Sequence, residues 1–163
     1  MGKGKEVDYN TVRILELCRD VELHGAEIYR YFSEIFANDP MISNLWFKTY
    51  QEELNHAQQF VMAINMRKEN IVQSVKIDLY SAQNMLKVIR SIYDSVRKNR
   101  PTILDAFRSA IKLEEKLADM HMHAISEFTD QSLKALFKAL MNADKEHVET
   151  LRNAYTRLLK VNV

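Results

Sequence analysis

The sequence contains few of the residues that interrupt regular structure. Among 163 residues there are three glycines, two prolines and one cysteine. Sheets of several strands need turns rich in glycine, proline and asparagine, so this shortage predicts an all-α protein. The single cysteine, Cys18, excludes an intrachain disulfide and any metal site built from four thiolates. It favours a reducing, cytoplasmic setting.

The sequence also lacks an excess of charge of either sign. Lys and Arg number 23 and Asp and Glu 22, for a net charge of +1. The chain therefore has no overall field to hold nucleic acid or an anionic membrane. No uncharged run of about 18 apolar residues occurs, and no apolar stretch follows the basic start, so we expect neither a membrane span nor a signal peptide. The length and the 47% hydrophobic content predict a single domain over 1–163.

Capping residues and apolar periodicity divide the chain into four long predicted helices. Asp39 and Pro40 form an N-cap followed by proline at the first helical position, Pro101 opens a later helix in a similar way, and Asp130 is a third candidate cap. Apolar residues recur at helical spacing within each run. The four predicted helices span 8–37, 40–68, 101–128 and 131–160.

The links between these helices differ in length. The first and last links are short, whereas 69–100 separates the second helix from the third. A short link, a long crossover and a short link are the connectivity of a ferritin-like four-helix bundle. Within the crossover, 81–99 is predicted to form an extra short helix, and 71–80 is expected to be extended.

Each long helix offers candidate metal ligands. In the second helix, Glu53 and His56 lie at i and i+3, one turn apart on one face, where both can reach a single ion. The last helix carries another carboxylate-x-x-His pair, and the first and third each carry an acid on an apolar stripe. The six candidates are Glu22, Glu53, His56, Glu114, Asp144 and His147.

The two halves of the chain repeat one another. Glu22 lies 31 residues before Glu53, and Glu114 lies 30 before Asp144, so the halves superpose with an offset of 91 or 92. This pattern indicates a duplicated helical hairpin, with the copies related by a pseudo-twofold axis. The matched pairs are Asp39 with Asp130, Trp46 with Phe137, His56 with His147, Ala26 with Ala118, and Tyr29 with His121.

Four carboxylates in a bundle core require neutralisation, because an isolated buried charge costs several kcal/mol. Two divalent ions balance a charge of −4, and mixed carboxylate and imidazole ligands suit iron or manganese. We therefore predict a dinuclear centre in which Glu22 and Asp144 are terminal ligands, Glu53 and Glu114 bridge, and each metal takes one histidine. Alternatively, the acids form a solvated stripe and no metal binds.

These motifs resemble those of rubrerythrin-like diiron proteins of the ferritin-like superfamily, from about residue 12 to 158. The resemblance is carried by Glu22-x6-Tyr29-x2-Phe32, Glu53-x-x-His56-Ala57, Leu113-Glu114-Glu115 and Ala143-Asp144-Lys145-Glu146-His147. It implies two iron ions that react with hydrogen peroxide or dioxygen. It also implies that the four acids carry the chemistry, that Tyr29 hydrogen-bonds a ligating carboxylate, and that the protein is a homodimer. His121, the counterpart of Tyr29 in the repeat, is a further candidate beside the ligands.

The chain departs from the family pattern in three places. Asp144 stands where the family has the longer Glu, and Leu117 stands where peroxide-reducing members have a second acid. Glu115 points about 100° away and does not replace that acid. We expect no rubredoxin domain, so the resemblance implies an external electron donor such as a rubredoxin.

Three alternatives to a rubrerythrin-like peroxidase or oxidase remain open at this level. One is a ferroxidase that handles iron without turning over peroxide. Another is a metal-free helical protein that acts through its surface. The third keeps the centre but fills it with manganese or zinc.

Overall fold

The computed structural model describes residues 9–68 and 79–161, and within these ranges it is all-helical, with no strand. This confirms the predicted all-α class. Of the segment 71–80, which we expected to be extended, 71–78 lies outside the described residues, while Leu79 and Tyr80 begin a helix and contradict the expectation there. The helices are α1 (Tyr9–Ile35), α2 (Pro40–Lys68), α3 (Leu79–Lys98), α4 (Ile103–Glu127) and α5 (Gln131–Val161).

Side-chain caps fix where three helices begin. The Asp39 carboxylate accepts hydrogen bonds from the backbone N–H groups of Met41 and Ile42, at 3.1 and 3.2 Å. Asp130 accepts from the N–H of Leu133 at 2.9 Å. Both predicted caps are thus confirmed, and each provides a partner for a backbone donor that the first helical turn leaves free.

The start of α4 differs from the prediction. Pro101 is not its first residue, because the helix begins at Ile103 with Thr102 as the N-cap. Thr102 accepts a hydrogen bond from the backbone N–H of Asp105 at 3.1 Å, and its hydroxyl donates to the Asp105 carboxylate at 2.8 Å. This reciprocal pair stabilises an entry into the helix that proline alone does not specify.

The helices pair as two hairpins. The α1 and α2 helices pack along each other after a short link, and α4 and α5 do the same. The α3 helix lies mainly against α1, and the approaches of α2 to α5 and of α3 to α4 are less extensive. Acidic and histidine side chains of α1, α2, α4 and α5 meet between the hairpins.

An aromatic cluster joins the two hairpins next to this meeting point. The Trp46 ring stacks on Tyr29 with centroids 5.7 Å apart and lies 4.6 Å from the ring of Phe107. Phe60 of α2 contacts Phe137 of α5 at 5.5 Å. All five side chains are fully buried. Because large rings contribute much apolar area, they fix the spacing of the helices that carry the acids.

No helix in the described part of the chain is both long enough and apolar enough to span a membrane.

Candidate metal centre

The candidate ligands all lie in the protein interior. The four carboxylate side chains have no exposed surface, and the two histidines are 6% and 9% exposed. Acids are almost never fully buried unless they are paired or bind metal. The buried set comprises Glu22 on α1, Glu53 and His56 on α2, Glu114 on α4, and Asp144 and His147 on α5.

Glu53 occupies the middle of the cluster. Its Oε2 lies 3.4 Å from Nδ1 of His56, and its Oε1 lies 3.1 Å from Nδ1 of His147. The two imidazole rings are stacked, with centroids 5.7 Å apart. Each oxygen of one carboxylate therefore faces a different histidine, which is the disposition of a carboxylate that bridges two ions.

Two groups of ligand atoms share Glu53. One comprises Glu22, Glu53 and His56, the other Glu53, Glu114 and His147, and the atoms of each lie within 4.8 Å of one another. Two atoms bound to one ion at about 2.1 Å each are at most about 4.2 Å apart. Small side-chain rotations would therefore let each group bind one ion.

The cluster contains nearly all the unsatisfied polar atoms of the described interior. Eight buried side-chain N and O atoms among the described residues make no hydrogen bond of acceptable geometry, although some lie 3.1–3.2 Å from a polar neighbour. Only the indole nitrogen of Trp46 lies outside the cluster. Buried polar groups normally have partners, so a concentration at one place points to a missing ligand. The seven atoms are both oxygens of Glu22 and of Glu53, Nδ1 of His56, Nε2 of His121 and Oδ1 of Asp144.

Asp144 lies beside the two groups but belongs to neither. Its Oδ2 is 2.6 Å from Nδ1 of His121, and Nε2 of the same imidazole is 3.2 Å from Oε1 of Glu22. His121 is fully buried. The side chain predicted to stand beside the ligands therefore joins two of the predicted ligands directly.

Tyr29 also reaches the centre. Its hydroxyl donates a short hydrogen bond to Oε1 of Glu114, whose Oε2 lies 3.2 Å from Nδ1 of His147. A donor on a ligating carboxylate restricts its orientation. Burial and the charge of Glu114 raise the pKa of Tyr29 well above its ordinary value, so the hydroxyl keeps its proton.

The carboxylates create a strongly negative interior. Burial disfavours a protonated imidazole, but contacts with Glu22 and Glu53 outweigh it and raise the pKa of His56 to about 10. Asp144 and Glu22 raise the pKa of His121 to about 10 against the same opposition. For His147, Glu114 and Glu53 overcome burial and raise the pKa to about 12. The interior therefore attracts cations.

The acids respond differently to this environment. Burial opposes ionisation of Glu22, yet contacts with His121 and His56 lower its pKa to about 2. Burial and the charge of Glu53 raise the pKa of Glu114. Burial also raises the pKa of Asp144, against the contact with His121. The acids differ in their neighbours, because Glu22 contacts two imidazoles, whereas Glu114 contacts one, that of His147, and is repelled by the charge of Glu53.

Sequence reasoning missed Glu52. Its Oε2 lies 2.9 Å from Nε2 of His147, on the side of the ring opposite Glu53 and Glu114. A carboxylate on the outer nitrogen of a ligating histidine fixes the ring and its tautomer. No spacing pointed to Glu52, which lies about 100° around the helix from Glu53 and is 40% exposed.

The predicted departures on α4 are visible in the structure. Leu117 is fully buried in the apolar core. Glu115 points outward, where its carboxylate pairs with Arg152 at the surface. Among the described residues, neither position supplies α4 with a second acid at the centre.

The centre adjoins a cavity that opens to solvent between α2 and α5. His56, His147 and Glu52 lie at its inner end, and its volume is about 810 Å³. The buried acids lie behind these histidines. The cavity therefore gives small molecules a route to the imidazoles.

Comparison with models of known protein families, with curated proteins and with solved structures finds no match to this chain.

Proposed function

We propose that the chain is a non-haem diiron protein that reacts with hydrogen peroxide or dioxygen. The observation that carries this proposal is the position of Glu53, whose two oxygens face His56 and His147 separately. The flanking acids Glu22 and Glu114 complete one ligand group on each side. Two divalent ions, together with His121 beside Asp144, would compensate the charge of the four buried carboxylates.

The proposal includes a ferritin-like four-helix bundle. Its support is the pairing of α1 with α2 and of α4 with α5, with α3 in the long connection between the hairpins. The ligand-bearing faces of the four long helices meet between those pairs. Bundles of this connectivity build dinuclear sites from inward carboxylates and carboxylate-x-x-His pairs.

The residues around the ligands have definable tasks in this proposal. Tyr29 holds the Glu114 carboxylate through its hydroxyl. Glu52 holds the outer nitrogen of His147. His121, between Asp144 and Glu22, carries positive charge beside two buried acids. When bound, an iron pair would supply two electrons to the oxidant, and an external donor such as a rubredoxin would restore them.

Metal content per chain tests the proposal directly. After anaerobic loading with Fe(II) and desalting, we expect about two ions per chain in the wild type. The His56→Ala, His147→Ala double variant should retain almost none. His123→Ala is the matched control, because His123 is an exposed histidine of α4 and should leave the content unchanged.

Absence of metal from the wild type would contradict the proposal. The three buried imidazoles would then be the cations that balance the acids, and the chain would be a metal-free helical protein. Where iron does bind, oxidation of Fe(II) by dioxygen without donor-dependent consumption of peroxide would identify a ferroxidase. Donor-dependent consumption of peroxide is the expected result.

A further inference from the structure

The cavity between α2 and α5 is long and runs parallel to both helices. Ile42 lies fourteen residues before His56, and Val161 lies fourteen after His147. At 1.5 Å per residue, both intervals measure about 21 Å. The two ends of the cavity are therefore the same distance apart along either helix. We call this cavity the α2–α5 groove.

One stripe of each helix lines the α2–α5 groove. Residues at spacings of three and four face one another along its length, and most of those beyond the histidine end are apolar. On α2 the stripe comprises Ile42, Leu45, Thr49, Glu52 and His56. On α5 it comprises His147, Leu151, Ala154, Leu158 and Val161.

The two ends of the groove differ in exposure, and the stripes between them are mostly apolar. His56 and His147 are 6% and 9% exposed at the inner end, whereas Met41 and Val161 are 74% and 83% exposed at the outer end, which Asp39 also lines. Exposed apolar side chains that continue an apolar groove indicate a ligand site. A ligand that fits this lining has a polar end at the histidines and an apolar body.

The dimensions restrict the occupant. A volume of about 810 Å³ lies within the roughly 300–1,000 Å³ of small-molecule sites. It extends over about 21 Å along the two helices. The groove therefore fits an elongated small molecule.

The charged side chains that line the α2–α5 groove do not favour a ligand with a charged body. Lys48 and Arg157 line the rim together with Asp39 and Glu146, so both signs are present. Lys48 also lies 3.7 Å from Glu52. Contact with the ligand body is thus left to the apolar side chains of the stripes.

We propose that the α2–α5 groove binds a molecule with a linear aliphatic chain, its polar end at His56 and His147. The chain lies between the facing stripes and covers the exposed side chains of Met41 and Val161. Binding of the chain depends on the groove alone and does not require the proposed metal centre.

Fluorescence titration with cis-parinaric acid, a linear polyene fatty acid, tests this proposal on the protein as isolated. We expect a saturable increase at one probe per chain. Saturated fatty acids should displace the probe, with affinity rising by about two- to fourfold per added methylene. The gain should cease when the chain is as long as the groove.

Variants at the lining locate the site. Ala154→Trp places an indole in the middle of the groove and should weaken probe binding by about tenfold or more. Thr150→Trp changes an exposed lining residue and should weaken binding without affecting the core. Thr156→Trp is the matched control, since Thr156 is exposed on another face of α5 and should bind as the wild type does.

Two results would overturn the proposal. One is the absence of saturable binding in the wild type. If sedimentation then shows a dimer that Thr150→Trp disrupts, the groove is an interface between copies. The other is wild-type affinity in both Ala154→Trp and Thr150→Trp. Neither result depends on metal content, so failure here is distinguishable from failure of the diiron proposal.

Discussion

The α1–α2 and α4–α5 hairpins place corresponding residues in corresponding surroundings. Tyr29 stacks on Trp46, and its counterpart His121 lies 5.7 Å from Phe137, the counterpart of Trp46. Each of the two polar residues reaches an acid of the other half, since Tyr29 contacts Glu114 and His121 contacts Glu22. Each half therefore contributes a polar residue that contacts an acid of the other half, as expected if a pseudo-twofold axis relates the halves.

The equivalence ends at the carboxylate-x-x-His pairs. Glu53 faces both His56 and His147, whereas its counterpart Asp144 faces His121. The Asp144 side chain is one methylene shorter than that of Glu53. Its cationic partner is the imidazole of His121, at 2.6 Å. A duplicated scaffold thus supports one carboxylate shared between two ligand groups and one held by an internal cation.

The largest expected effect is on metal binding by these two counterparts. Glu53→Gln removes the acid common to both ligand groups, so metal content should fall from about two ions per chain to nearly none. Asp144→Asn should retain most of the metal, because Asp144 lies in neither group. Elemental analysis after Fe(II) loading measures both. Equal losses in the two variants would show that the acids are equivalent ligands.

The next effect concerns the stability of the metal-free protein. His121→Phe leaves the buried acids Glu22 and Asp144 without their shared imidazole, which should reduce the free energy of unfolding by about 3 kcal/mol or more. Tyr29→Phe removes one donor from Glu114 and should cost about 1–3 kcal/mol. Both aromatic side chains are fully buried.

Urea unfolding of chelator-treated protein at neutral pH measures this difference. Phe replaces a ring in both variants, so the apolar packing against Trp46 and Phe137 is largely retained. A greater loss in Tyr29→Phe than in His121→Phe would contradict the view that His121 acts as the internal cation.

The helices were predictable from sequence, and so were the first residues of α2 and α5. Apolar spacing, Asp39 and Asp130 marked α2 and α5 because a capping carboxylate acts on its own backbone, within three residues. The start of α4 was not predicted correctly, because a Thr102–Asp105 capping pair sets it two residues after Pro101. The first residue of a helix depends on the local sequence, and here Pro101 and the Thr102–Asp105 pair indicated different first residues.

The site was predictable only as a set of residues. Helical spacing predicted that six candidate ligands lie in the interior, but spacing does not reveal which oxygen of Glu53 faces which imidazole. That depends on side-chain torsions set by packing, as does the position of Asp144 beside His121. Glu52 carried no signal because its contact with His147 joins two helices that are distant in sequence.

The smallest expected effect arises where the halves differ in packing. Gly25 of α1 corresponds to Leu117 of α4, which is fully buried. A Cβ at Gly25 would lie 3.5 Å from Cδ1 of Ile89, a fully buried residue of α3. Ile89 therefore occupies room next to α1 that the absent side chain leaves, which helps explain why α3 packs mainly on α1.

Gly25→Ala should stabilise the protein by about 0.5–1 kcal/mol. The 3.5 Å separation is an ordinary van der Waals contact, and alanine is favoured over glycine inside a helix by about that amount. Gly25→Leu copies the residue of the other half and should instead destabilise by about 1–3 kcal/mol, because it displaces Ile89. Thermal and urea unfolding of both variants measure the difference. A destabilising alanine would contradict this expectation, because it would mean that Ile89 and the Glu53 carboxylate, 4.0 Å from the added carbon, tolerate no methyl group at this position.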